Sequence, residues 1–345
     1  MRGLVVDSKG ALSVAELNMP EIGPYQARVR LLSCGVCNGT DMKLVHGAFK
    51  NFNTYPAMLG HEGVGEVVSV GEKARSFQLG DRVLLPFLEG MNGIYHSGWG
   101  AYSEYAVVGD AKSYLNDGLA VPSEAYFAQT ILKKDDKVDA VGAAMIITFR
   151  EVLSAIRRFG MKPNKSLVVF GAGPVGLCFI RFAKLIGMGP VYAIDIDDEK
   201  VSAARSMGAD DAFNSLQCGV NAEILKRLPG GADYVVDAVG VNALINQAME
   251  VIADHGKICC YGISPKLNMD LDWSRAPYNW SLDFVQWPSK LEEAEAHSQV
   301  MAWINMGVLN PMDFISDVIP FDHIMDAFRI LNEKRKGTKK IVIEY

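Results

Sequence analysis

Two short stretches hold the residue types that bind transition metals. One is Cys34-Gly35-Val36-Cys37-Asn38-Gly39-Thr40-Asp41; the other is Gly60-His61-Glu62. A thiolate, an imidazole and a carboxylate are all good zinc ligands, and three protein ligands plus water is the pattern of a catalytic zinc. Composition alone leaves other uses open. A lone histidine is more often a hydrogen-bonded or surface residue, and Cys34/Cys37 also fits a redox C-x-x-C. No thioredoxin-like β-α unit surrounds that pair, however, and the absence of a second C-x-x-C excludes a zinc ribbon.

A second chemistry is written at Gly171-Ala172-Gly173-Pro174-Val175-Gly176, which fits G-x-G-x-x-G. Leu167–Phe170 supplies a strand before it, and Val175 onward a helix after it. Gly171 permits the tight turn, Gly173 lets a pyrophosphate approach the backbone, and Gly176 lets helix pack on strand. The phosphate then faces free N–H groups, that of Val175 among them, and the positive end of the dipole of the helix that Pro174 opens. About twenty residues on, the strand from Val191 ends at Asp195, beside Ile196 in the same nucleotide site. A carboxylate there accepts from both ribose hydroxyls and repels the extra phosphate of NADP. Asp197 and Asp198 add negative charge and no arginine follows, so NAD is expected.

The elements that position these groups divide the chain. The first 110 residues carry short β-rich runs at Leu4–Val6, Ala27–Leu32, Val64–Val70, Arg82–Leu85 and Tyr102–Val108, with little room for helices. Ala143–Phe159 then reads as a helix, stopped by Arg157, Arg158 and Gly160. Strands and helices alternate from there: Ser166–Phe170, Val175–Ile186, Val191–Ile196, Asp198–Met207, Tyr234–Ala238, Asn242–Ile252 and Lys257–Gly262. Repeated β-α units imply a parallel sheet covered by helices. Helices at Ser289–Met306 and Asp322–Leu331 and a strand at Lys340–Glu344 close the chain. The expected division is a β-rich domain at 1–147 and 289–345, with an inserted α/β domain at 148–288.

Bulk properties agree with a two-domain globular protein. The chain has 345 residues, 49% hydrophobic and 21% charged, with a formal net charge of −6. These values exclude disordered, collagen-like and small disulfide-scaffold classes. A mildly acidic chain does not suit broad phosphate binding, so no nucleic-acid partner is expected. No apolar run of about 18 residues predicts a membrane span, and no signal peptide is visible. The six cysteines are few for the length, and a reducing cytoplasm with free or metal-bound thiols is expected.

Taken together, these motifs resemble the medium-chain, zinc-containing alcohol and polyol dehydrogenases. The likeness spans nearly the whole chain. It includes 34–41, Gly60 through Gly71, Gly80-Asp81-Arg82-Val83, Ala101-Tyr102-Ser103-Glu104-Tyr105, 171–176 and Lys340-Ile341-Val342-Ile343. The resemblance implies a GroES-like β-rich catalytic domain, a doubly wound Rossmann domain and an active site in the cleft between them. It implies Cys37 and His61 as zinc ligands, Glu62 as a ligand or close partner, and Asp41 orienting the site from behind. Val239, Gly262 and Ile263 would flank the nicotinamide, and Lys200 would lie near the adenosine ribose. The implied reaction is hydride transfer between NAD and a small alcohol or ketone, with zinc as the Lewis acid. Ser281–Gln286 resembles the family's edge strand, so a homodimer or homotetramer is expected.

The sequence departs from the family pattern in three places. Asn38, Gly39 and Thr40 put three residues, not two, between the ligand cysteine and Asp41. Gly39 then sits where a hydroxyl is usual, so Thr40 serves the substrate oxygen only if the turn bulges. Lys43 stands where relatives carry a relay histidine, leaving Thr40 and Lys43 as proton-relay candidates. The fourth ligand position falls near Ile146–Ile147, and Ile cannot bind zinc. This favours Cys, His, Glu and water, the polyol-type set. Pro86 to Tyr102 lacks the cysteines of a structural zinc lobe, so one catalytic zinc per chain is expected. Aromatic residues near the site, Phe49, Phe52 and Trp99 among them, suit a sugar or cyclitol face, a hydrophobic alcohol or plain packing. Two other readings stay open: a zinc-free reductase of activated double bonds or quinones, and a dinucleotide-binding sensor without turnover.

Overall fold

The computed structural model describes residues 1–345. It divides into two units. One comprises Met1–Glu151, Ser289–Arg335 and Lys340–Tyr345; the other comprises Val152–Pro288 with Lys336–Lys339. The division falls inside the helix Ala140–Phe159, four residues beyond the expected boundary, because the helix runs unbroken through it.

In the first unit, two mixed sheets carry the chain. The larger is built on Gln26–Val36, whose alternating burial places Ala27, Val29 and Leu31 in the core. Antiparallel to it run Glu62–Val70, Tyr105–Gly109 and Lys340–Glu344. The register pairs Gly35 with Glu62 and Cys34 with Gly63, with two bulges along the way. The smaller sheet orders Leu12–Glu16, Arg2–Val6, Ala57–Met58, Tyr95–Ser97 and Met91–Asn92. A core of Leu4, Leu31, Leu44, Met58, Leu59, Tyr102, Phe328 and Ile343 lies among these elements. The β-rich reading of the first 110 residues is modified by one short helix, Asp41–Val45, whose buried face is Met42, Leu44 and Val45.

Six parallel strands form the sheet of the second unit. In spatial order they are Asp211–Asn214, Val191–Asp195, Leu167–Phe170, Ala232–Asp237, Ile252–Cys260 and Trp280–Phe284. The chain starts in the middle and winds outward both ways, which defines the doubly wound arrangement. The central strand Leu167–Phe170 is buried on both faces, as its unbroken apolar run requires. Asp211–Asn214 and the helix Val220–Arg227 are additions to the elements expected from sequence. No helix of the chain is long and apolar enough to cross a membrane, and all six cysteines are free.

Candidate active site

Cys37 directly follows the strand Gln26–Val36, and His61 directly precedes the strand Glu62–Val70, which Glu62 opens and which pairs with the first. This antiparallel register brings together residues 24 positions apart in sequence. The ligand atoms of Cys37, His61 and Glu62 lie within 4.8 Å of one another. His61 and Glu62 are buried and Cys37 is partly exposed. One soft sulfur, one imidazole and one carboxylate at this span suit a zinc ion.

Asp41 is fully buried behind the histidine. Its Oδ1 lies 3.3 Å from His61 Nδ1, yet neither atom has a hydrogen-bond partner in acceptable geometry. Two facing orphans of this kind fit a ring whose other nitrogen is reserved for a metal. Binding there would fix the ring and align Nδ1–H on the carboxylate. The Asp41 Oδ2 is held by the Cys37 N–H at 2.9 Å and by the Tyr102 hydroxyl at 2.6 Å. Burial alone would drive the His61 imidazolium pKa down. Asp41 and Cys37 outweigh it and hold the pKa well above its ordinary value.

Glu62 meets a cation of the protein's own. Lys340 donates to both carboxylate oxygens, and the Thr148 hydroxyl approaches Oε1 at 3.3 Å. Burial lowers the Lys340 pKa, but Glu62 and Cys37 more than reverse that and raise it. Gly35 leaves room for the carboxylate: a Cβ there would come within 2.1 Å of Glu62 Oε2. Lys340, Thr148 and Tyr102 are the site residues that motif reasoning missed. The available signal was that Tyr102 and Lys340 stand in motifs carrying the family resemblance; Thr148 stands in none of them.

The extra residue before Asp41 is absorbed by the turn at 38–40, so Asp41 keeps its place behind His61. Thr40 begins the short helix, is 4% exposed and makes no capping bond. Lys43 does not join the three-ligand group; its amine donates to Gly39 O at 2.8 Å. Burial pushes the Lys43 pKa down while Cys37 pulls it up, for a net lowering. Ile146 and Ile147 are buried and apolar. Glu151 faces Lys290 at 3.8 Å and is not part of the group. Trp99 covers His61, with ring centroids 5.4 Å apart, and Phe49 meets Trp99 edge-on at 5.9 Å.

In the second unit the glycine turn is shaped as its spacing predicts. Gly171 takes φ +93, and a Cβ on Gly176 would lie 1.8 Å from Gly171 O. Beside Gly173 the space is open, so a phosphate can reach the backbone there. Pro174 starts the helix Pro174–Leu185, followed by Val175, and the missing proline N–H costs nothing at that position. Asp195 accepts from Ala172 N at 2.7 Å and from Ile196 N at 2.8 Å, which ties the strand end to the turn. Asp197 caps the next helix, on whose first turns Lys200 sits. At the end of the strand Ala232–Asp237, Asp237 accepts from Val239 N and Gly240 N at 2.8 and 2.9 Å. Gly262 packs so closely that a Cβ would lie 2.1 Å from Gly240 N, and Ile263 O borders the same glycine.

Comparison with known proteins agrees with this geometry. Residues 23–116 match the family model "Alcohol dehydrogenase GroES-like domain", and residues 174–282 match "Zinc-binding dehydrogenase". An alcohol dehydrogenase of Geobacillus stearothermophilus is 33% identical over 273 residues, covering 76% of this chain and 77% of that protein. The fold of 2R,3R-butanediol dehydrogenase from Bacillus subtilis superposes with a TM-score of 0.81 at 21% identity, covering 100% of this chain and 99% of that one. Galactitol-1-phosphate dehydrogenase from Escherichia coli gives 0.80 at 23% identity, with both chains fully covered. With its GroES-like and Rossmann-type domains, the chain belongs to the medium-chain, zinc-containing alcohol and polyol dehydrogenase family and is an oxidoreductase.

Proposed function

We propose that the protein interconverts a secondary alcohol (a polyol, sugar or cyclitol) and its ketone, using NAD and one catalytic zinc per chain. The convergence of Cys37, His61 and Glu62 within 4.8 Å carries this reading. When bound, zinc supplies Lewis acidity toward a carbinol or carbonyl oxygen, and NAD supplies the hydride acceptor. Cys37, His61 and Glu62 would hold the metal, and Asp41 would orient His61. Thr40 and Lys43 would be the candidates to move the alcohol proton, and the lowered pKa of Lys43 supports its part. Gly171, Gly173, Pro174, Val175 and Gly176 would hold the pyrophosphate, and Asp195, Ile196 and Lys200 the adenosine ribose. Val239, Gly262 and Ile263 would border the nicotinamide. The open space beside Gly173 and the carboxylate at Asp195 support a dinucleotide without a 2′-phosphate.

The polyol preference rests on the ligand set and on Ile146–Ile147 at the fourth position. Dehydrogenases of butanediol and galactitol-1-phosphate share the fold. A homodimer or homotetramer is supported by the sheet's outer strand Trp280–Phe284, which pairs on one side alone. Six free cysteines support a cytoplasmic setting.

Metal analysis of the purified protein, followed by NAD-linked oxidation of a polyol and cyclitol panel, tests the reading. One zinc per chain, lost in Cys37→Ser together with turnover, is expected. NAD bound with no zinc would overturn it in favour of a zinc-free reductase, and zinc and NAD bound with no turnover would favour a sensor.

A further inference from the structure

Trp99 occupies a backbone conformation that a tryptophan seldom adopts, φ +70, followed by Gly100 at φ +76. Conformations of this kind persist only where the surroundings impose them. Here the imposing bonds are on both sides. Gly98 N donates to Met58 O and Ala101 N to Gly60 O, both at 2.8 Å, and Leu88 N donates to Trp99 O at 2.7 Å. The two glycines are needed for this fit: a Cβ on Gly98 would lie 2.6 Å from Met58 O, and one on Gly100 would lie 2.7 Å from Leu88 Cβ. Met58–Gly60 is the segment that runs directly into His61. The backbone bonding therefore holds the Trp99 backbone beside the segment that leads to the candidate metal ligand, and the indole meets the His61 ring at a centroid distance of 5.4 Å.

The ring is not spent on filling the core. Trp99 and Phe49 are both partly exposed, and both rank as partners at the margin of the buried cluster. The ring planes of Phe49 and the indole stand at 86° to one another. The result is a flat, electron-rich surface with an upright side wall, set beside the point where a reacting carbinol would meet Cys37, His61 and Glu62. An aromatic face attracts the slightly positive C–H bonds of a saturated ring, and a rigid ring loses fewer rotors there than an open chain.

We infer that Trp99 is a specificity-determining residue that selects cyclic secondary alcohols, such as cyclitols and sugar rings, over open-chain ones. The inference rests on the dehydrogenase reading above and narrows its substrate class.

Trp99→Gly removes the ring without adding strain, since glycine is at home at φ +70; Trp99→Phe keeps a smaller face. Cyclohexanol and butan-2-ol serve as the probes, with zinc content measured on each protein. For Trp99→Gly the KM for cyclohexanol should rise about tenfold or more and that for butan-2-ol by less than about threefold. The kcat values and one zinc per chain should be retained, and Trp99→Phe should recover most of the loss. Equal shifts for both alcohols, or loss of zinc, would overturn the inference and make Trp99 a prop for His61. Should the wild type oxidise neither these alcohols nor the polyol and cyclitol panel, the dehydrogenase reading fails separately. Saturation-transfer NMR of cyclohexanol on the zinc-loaded proteins then decides the wall: signal lost in Trp99→Gly supports it, and signal retained overturns it.

Discussion

The ammonium of Lys340 lies 2.7 Å from each carboxylate oxygen of Glu62, and neither residue is more than 3% exposed. A buried carboxylate beside a candidate metal position thus has a resident counter-ion. Its charge is compensated whether or not a metal is bound. Removing one member of a buried pair leaves the other unpaired, at a cost of about 3–5 kcal/mol. Lys340→Met should therefore destabilise the metal-free protein by about that amount. Added zinc should return part of the loss by binding the native state. Denaturant unfolding with and without zinc checks both statements. The double variant Lys340→Met/Glu62→Gln should regain stability while losing zinc affinity; a double variant no more stable than Lys340→Met would refute the pairing argument.

Asp195 is tied to the glycine turn by its bond from Ala172 N, and in the proposed reading it would meet the adenosine ribose. Asp195→Ser removes a charged acceptor and the repulsion of a 2′-phosphate together. The preference for NAD over NADP, read as a ratio of dissociation constants, should fall by about tenfold to a hundredfold. An unchanged ratio would move the discrimination elsewhere on the turn.

His297 lies outside the active site, on the helix Lys290–Asn305. Burial, aided by the positive charge of Arg150, pushes its pKa down to about 4, and its buried Nδ1 has no partner. The native state therefore holds it neutral, while the unfolded chain takes up a proton near pH 6.5. Stability from this group is complete above about pH 6.5 and is lost as pH falls toward 4, up to about 3 kcal/mol. His297→Gln should flatten the acid side of the melting-temperature profile between those values. A variant profile parallel to the wild type would show that His297 does not titrate with folding.

Legibility in the sequence followed the range of the interaction. The glycine turn, the helix Pro174–Leu185 and Asp195 depend on neighbours within a few tens of residues, so spacing alone placed them. Cys37, His61 and Glu62 were nameable as ligand types, but the sheet register that unites them is a pairing of distant strands. The Lys340–Glu62 pair spans 278 positions, and no local pattern marks a lysine at the head of an apolar strand as buried. Asp211–Asn214 escaped because four residues with polar ends give no alternation to detect. Helix Val220–Arg227 escaped with it, being only eight residues long and half polar.

The pairing of Gly35 with Glu62 and Cys34 with Gly63 has a consequence for the lifetime of the site. The candidate ligands stand on a hydrogen-bonded ladder that the hydrophobic core already holds in register. The entropy of ordering the ligand-bearing backbone is then met by the fold itself. Metal exchange is then a local event at a rigid mouth. A chelator would silence the protein reversibly and leave its melting cooperative, in the manner of a removable tool head on a fixed handle.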